Sequence, residues 1–168
     1  QKTYSQLERE WKDNFLPFKE VFFNARTRLR HGNLDNWIDL HLIYKDVIEV
    51  MRILNSQGRL YMATLKDSES VRLILGKQGL KIPVENLLDQ SKINSKLQAL
   101  DQLREQIGCN KMDVVFIDDN VNHLLEPKAV GYTVYLTTWG NTMDEYKIIA
   151  EKNNILLLND CSLLIKKL

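Results

Sequence analysis

The 168 residues are enough for one α/β domain with a substantial core and a small appendage, and too few for two full domains. With 23 Lys and Arg against 22 Asp and Glu, the net charge of +1 argues against a surface that neutralises many nucleic-acid phosphates and points to a small-molecule partner. The two cysteines, Cys109 and Cys161, lie far apart without metal-type spacing, so neither a disulfide nor zinc is expected. The apolar runs are of strand length, far below the roughly 20 residues of a membrane helix, and there is no secretory-type leader. The expectation is a protein without a membrane partner and in the cytoplasm, whose first residue, Gln1, suggests sequence further upstream.

In chain order, Tyr4, Leu7, Trp11 and Phe15 fall on one helical stripe, and beyond Pro17 a second stripe runs Phe18, Phe22, Ala25, Leu29. Two amphipathic helices are predicted, the second stopped by Gly32 and Asn33, with a shorter helical run around Trp37, Leu40, His41 and Tyr44. The aromatic cluster Trp11, Phe15, Phe18, Phe22 and Phe23 is expected to serve packing.

From Lys45 the pattern changes to helices alternating with short apolar runs, as in β-α units that wind a parallel sheet. Val47, Met51 and Leu54 give a helix face closed by Gly58, and Leu60 to Ala63 reads as a buried strand ending at Thr64. Asp67 caps the next helix, which carries Val71, Ile74 and Leu75; a strand-like piece, Ile82 to Val84, follows. Ser95 with Gln98 makes a capping box for a helix stopped by Gly108, so Lys96 lies in that helix's first turn. Val114 to Ile117 is the clearest buried strand, and it ends in Asp118, Asp119 and Asn120. Tyr132 to Leu136 is another strand, Thr142 with Glu145 caps a helix, and Ile155 to Leu158 is the last strand before a tail helix.

Ligands of open parallel sheets bind beyond the carboxyl ends of the strands. The residues there are Thr64, Asp118, Asp119 and Thr137, and Lys96 can reach the same edge from its helix. A hydroxyl, an ammonium and paired carboxylates suit phosphoryl transfer, since carboxylates hold Mg²⁺ while hydroxyl and lysine bind phosphate oxygens. Adjacent Asp118 and Asp119 also repel each other unless a cation or donors compensate. Receiver domains place their acid pair before the hydroxyl and lysine, the reverse of the order here.

The order Thr64, Lys96, Asp118–Asp119, in the segments "LYMATLKD", "NSKLQALDQL" and "VVFIDDNVNHLLEPKAVGYTVYLTTWGN", resembles motifs II, III and IV of the haloacid dehalogenase (HAD) superfamily, in its phosphoglycolate-phosphatase-like branch. The likeness spans about residues 43–168. It implies a Rossmann-like three-layer α/β sandwich with a parallel sheet over residues 45–168, behind a helical cap remnant at 1–44.

The same resemblance implies catalytic roles for Thr64, on the phosphoryl group, and Lys96, on its developing charge, with Lys92 a weaker choice of lysine. Asp118 and Asp119 would serve a Mg²⁺, Asn120 would support them, and the substrate would be a small phosphate ester. His123 stands where the family often has another acid and reads as a supporting residue; Trp139 and Gly140 read as a turn. The family's Asp-x-Asp strand, whose first aspartate forms an aspartyl-phosphate, is not visible. The nearest look-alike, "VFFNART" with Asn24 and Arg26 at the two aspartate positions, fits helical spacing better, so the nucleophile is expected before Gln1. The alternative is a catalytically silent domain of this fold that binds a ligand or a protein.

Overall fold

The computed structural model describes residues 11–167. The chain divides into two compact units, Gln1–Leu42 and Ile43–Leu168.

In the first unit, α1 (Lys12–Gly32) is one helix where two were expected, with Pro17 inside it. Proline removes a single i→i−4 bond, and so near a helix start little of the ladder lies upstream of the gap. "VFFNART" is helical throughout, so Asn24 and Arg26 do not lie on a strand. Tyr4 and Leu7 of the first expected stripe lie outside the described residues. Phe18 and Phe22 do not enter a core: they are exposed, and their rings stack on each other at 6.3 Å. Arg26 lies 5.8 Å from the Phe22 ring and 5.7 Å from the Phe23 ring, so the contacts these aromatics make run along their own helix. Asn33 ends α1 and caps α2 (Leu34–Asp39), its side chain accepting from the Asn36 N–H.

The second unit alternates helix and strand: α3 (Lys45–Ser56), β1 (Met62–Ala63), α4 (Ser68–Lys77), β2 (Leu87–Leu88), α5 (Lys96–Ile107), β3 (Val115–Asp118), α6 (Val121–Ala129), β4 (Thr133–Thr137), α7 (Asp144–Lys152), β5 (Leu156–Leu158) and α8 (Leu163–Lys167). Among the described residues all strand pairs are parallel, and they form two sheets, β1-β2 and β3-β4-β5.

Period-two alternation sorts the larger sheet's side chains onto two faces. Phe116, Val134 and Leu136 join Leu100, Val121, Leu124 and Ala150 of α5, α6 and α7 on one face. Val115, Ile117 and Tyr135 join Val50, Leu54 and Leu164 of α3 and α8 on the other. The smaller sheet divides likewise, Met62 and Leu87 packing with Ile48, Val71 and Leu75, and Ala63 and Leu88 with Ala99 and Leu103. Helices α3 and α5 therefore serve both sheets, one on each face. The result is a three-layer, Rossmann-type α/β architecture.

Three local expectations are corrected. Ile82 to Val84 is not a strand: Pro83, which has no N–H to pair, opens a 3-10 turn over Val84–Asn86, and the strand follows at Leu87–Leu88. Ser95 accepts from the Gln98 N–H as foreseen, but the Gln98 side chain returns to the Asn94 N–H, one residue before the box position. Thr142 does not cap α7, because the carbonyls of Thr137 and Asp119 take its hydroxyl.

Candidate functional site at the strand tips

Four turns bring the site together. Thr64 extends the β1-β2 ladder, its N–H donating to the Leu88 carbonyl at 2.9 Å, and its hydroxyl accepts from the Lys66 N–H at 3.0 Å. That second bond holds the turn into α4, where the Asp67 carboxylate caps the Ser70 N–H at 2.8 Å. The hydroxyl hydrogen of Thr64 remains a donor at the strand end.

Lys96, the first residue of α5, donates from Nζ to the carbonyl of Ala63 and lies 3.7 Å from Asp118 Oδ2. Both side chains of this ion pair are only 12% exposed. Burial pushes the Lys96 ammonium below its ordinary range, and the carboxylates of Asp118 and Asp119 oppose that shift. Lys92 instead directs its ammonium to the Leu87 carbonyl at 3.4 Å. Of the two lysines weighed from sequence, the structure brings Lys96 to the acid pair.

Asp118 and Asp119 are adjacent, yet they face different partners, as successive residues leaving a strand do. Asp118 Oδ1 accepts from the Asn120 N–H at 2.9 Å, and His123 Nδ1 stands 3.1 Å from Asp118 Oδ2. Asp119 Oδ2 accepts from the Asn141 N–H at 3.0 Å, across the loop after β4. Separate donors, including one full cation, thus relieve the repulsion that the adjacency sets up. Asn120 supports the pair through its backbone, while its side chain accepts from the Asn122 N–H at the start of α6.

Two contributors have roles that the sequence did not assign: Gly140, which reads there only as part of a turn, and Asp89. A Cβ on Gly140 would stand 2.8 Å from the Asp119 Cβ and 2.9 Å from Oδ2, so glycine is required by close approach. Its only sequence signal is a glycine just after a strand; the partner is 21 positions away. The other is Asp89, an acid at the tip of β2 that is only 6% exposed. It accepts from the Ser91 hydroxyl and N–H and from the Ser68 N–H, tying the strand tip to the start of α4.

The Ser91 hydroxyl leads in holding the Asp89 carboxyl down to about 2, against an ordinary 3.8, with burial opposing and the Ser68 N–H assisting. A carboxylate depressed in the folded state adds stability above its unfolded value and loses it as pH falls through the folded one. Asp89→Asn is therefore expected to cost about 2 kcal/mol at neutral pH, and the gap to the parent should close between about pH 4 and pH 2. Urea unfolding across that range measures it; a gap independent of pH would reject the assignment.

The fit of Mg²⁺ follows from the donors present. Magnesium keeps several waters and is held by one or two carboxylates together with substrate phosphates. Asp118 already faces Lys96 and His123, which leaves Asp119, with one oxygen on Asn141, as the better-placed carboxylate. Among the described residues no group of three or more His, Cys, Asp or Glu side chains gathers as a metal centre. The residues fit the part of a magnesium shell that a protein supplies when the substrate completes it. Also among the described residues, no helix is long and apolar enough to cross a membrane.

Two solved structures share this architecture. A crystal structure of a dehalogenase with an intermediate complex superposes with a TM-score of 0.58 at 20% identity, covering 74% of this chain and 56% of that one. A second crystal structure of a dehalogenase gives 0.51 at 21% identity, with the same coverage. This chain thus spans little more than half the length of the structures it matches. No family model matches the sequence. No curated protein matches it either. At these identities the likeness shows the fold, which is haloacid-dehalogenase-like.

Proposed function

We propose that this chain carries the core of a hydrolase that cleaves a small phosphate monoester through an aspartyl-phosphate. The observation that carries the reading is the Lys96 ammonium, which reaches the tips of both sheets at once, Ala63 of β1 and Asp118 of β3. An ammonium held between two strand ends, beside a threonine hydroxyl and a carboxylate pair, is a preorganised counter-charge for a phosphoryl group. In this reading Thr64 binds a phosphoryl oxygen, Lys96 offsets the charge that develops on it, and Asp119 with Asp118 holds Mg²⁺. Bound there, the cation would supply further neutralisation of the phosphoryl oxygens.

The nucleophile, in this proposal, comes from a strand that is not among the described residues. Among the described residues β1 pairs only with β2, and β3 only with β4, so each has an edge that no described strand covers, and Lys96 connects the ends of these two strands. One further parallel strand between them would join the two sheets and set its last residue beside Lys96.

A second reading, hydrolysis of a carbon–halogen bond, is favoured by the two dehalogenase structures that share the fold. Both readings are tested in the intact protein by measuring phosphate release from an aryl phosphate with Mg²⁺ and halide release from a 2-haloalkanoate. Phosphate release that falls on the order of 10²–10³-fold in Asp119→Ala supports the proposal. Unchanged release in that variant removes Asp119 from the site; halide release alone selects the second reading. With neither product, the chain is a binding domain of this fold.

A further inference from the structure

Beside Lys96 a cavity of about 270 Å³ opens between the start of α5 and α6. It is close to the lower end of the range for small-ligand pockets. Leu65, Ile93 and Leu97 give it an apolar wall; Lys96 and His123 stand at the side of the acid pair, and Glu126 closes the wall along α6. His123 and Glu126 are three residues apart on that helix and so share a face. The His123 ring is held by Asp118, 3.1 Å from Nδ1, which fixes this part of the wall.

The charges at its two sides differ. Lys96 is a cation next to the proposed phosphoryl position. Glu126 is exposed, and no ion pair to its carboxylate forms among the described residues. A carboxylate only accepts hydrogen bonds, and it favours a cationic donor over a neutral one. A ligand matching this wall has an anion at one end, a short apolar spacer, and a donor at the other.

We propose that this cavity receives the organic part of the substrate, and that Glu126 selects esters bearing an ammonium group, so that the preferred class is small amino-alcohol phosphates. The inference rests on the hydrolase reading for the position of the phosphate, while the cavity and its charges stand independently of it. The apolar wall accommodates the carbon spacer, and Glu126 sets specificity without touching the reacting atoms.

The test compares two probes of similar length, O-phosphoethanolamine and ethyl phosphate, by titration of the intact protein followed in ¹H–¹⁵N spectra. The amino ester should bind about tenfold tighter, with shifts at Leu97 and Glu126, and Glu126→Gln should remove the difference. Because Glu126 is exposed, the Gln variant should fold as the parent does. Equal affinity of the two probes, a preference that survives Glu126→Gln, or no binding of either at about 10 mM overturns the proposal. Selective binding without release of inorganic phosphate would uphold the cavity assignment and fail the hydrolase reading. Phosphate release from both probes with equal kcat/KM would do the reverse.

Discussion

Gly140→Ala is expected to damage the site from a position that carries no chemistry. The new methyl group would meet the Asp119 side chain at 2.8 Å from Cβ, 2.9 Å from Oδ2 and 3.3 Å from Cγ. Asp119 has little room to withdraw, because its carboxylate is bonded to the Asn141 N–H and its carbonyl accepts from Thr142 at 3.3 Å. Forcing an added methyl into such a contact costs about 1–3 kcal/mol. Activity should fall further than stability, since a misplacement of about 1 Å can lower a rate on the order of 10²-fold. Calorimetry and the amide shift of Asn141 measure the two effects. A parental Tm together with an unmoved Asn141 resonance would show that the loop after β4 yields without disturbing Asp119.

Lys96→Met should have the largest effect on stability and turnover together. The lysine side chain and Asp118 are each 12% exposed, so removing the ammonium leaves a largely buried carboxylate facing His123 and the Asn120 N–H alone. Breaking one side of such a pair costs roughly 3–5 kcal/mol, although a buried pair gains little over a well-packed apolar replacement of both partners. Lys96→Met with Asp118→Asn is therefore expected to recover much of the stability. It should recover none of the turnover, which in the proposed reaction falls on the order of 10²–10³-fold without the ammonium. Urea unfolding of the two variants measures this. A single variant as stable as the parent would mean that solvent already screens the pair.

The elements of the second unit were readable because local rules agree with tertiary ones there. Ser95, Asp67 and Gly108 carry cap chemistry in their own side chains or backbone freedom, and each ends a helix where the sequence places it. Val115–Asp118 is legible from its apolar run up to the ligand edge, although only Phe116 is buried and Val115, Ile117 and Asp118 are half-buried. At Pro17 the helix runs on past a residue that interrupts one hydrogen bond, and at Pro83 the same kind of interruption turns an apolar run into a 3-10 turn. At Thr142 the hydroxyl answered carbonyls brought near by the fold, not the helix behind it.

The α/β alternation, the parallel strands and the order Thr64, Lys96, Asp118, Asp119 along the strand ends are legible in the residues themselves, because periodicity and strand ends are local properties. Which lysine meets Asp118, why Gly140 has no room for a side chain, that Asp89 locks β2 to α4, and that the strands form two sheets sharing α3 and α5 are properties of the folded packing. Those facts are distances between segments far apart along the chain, and such distances are set by the packing of several elements at once and by no single stretch of chain.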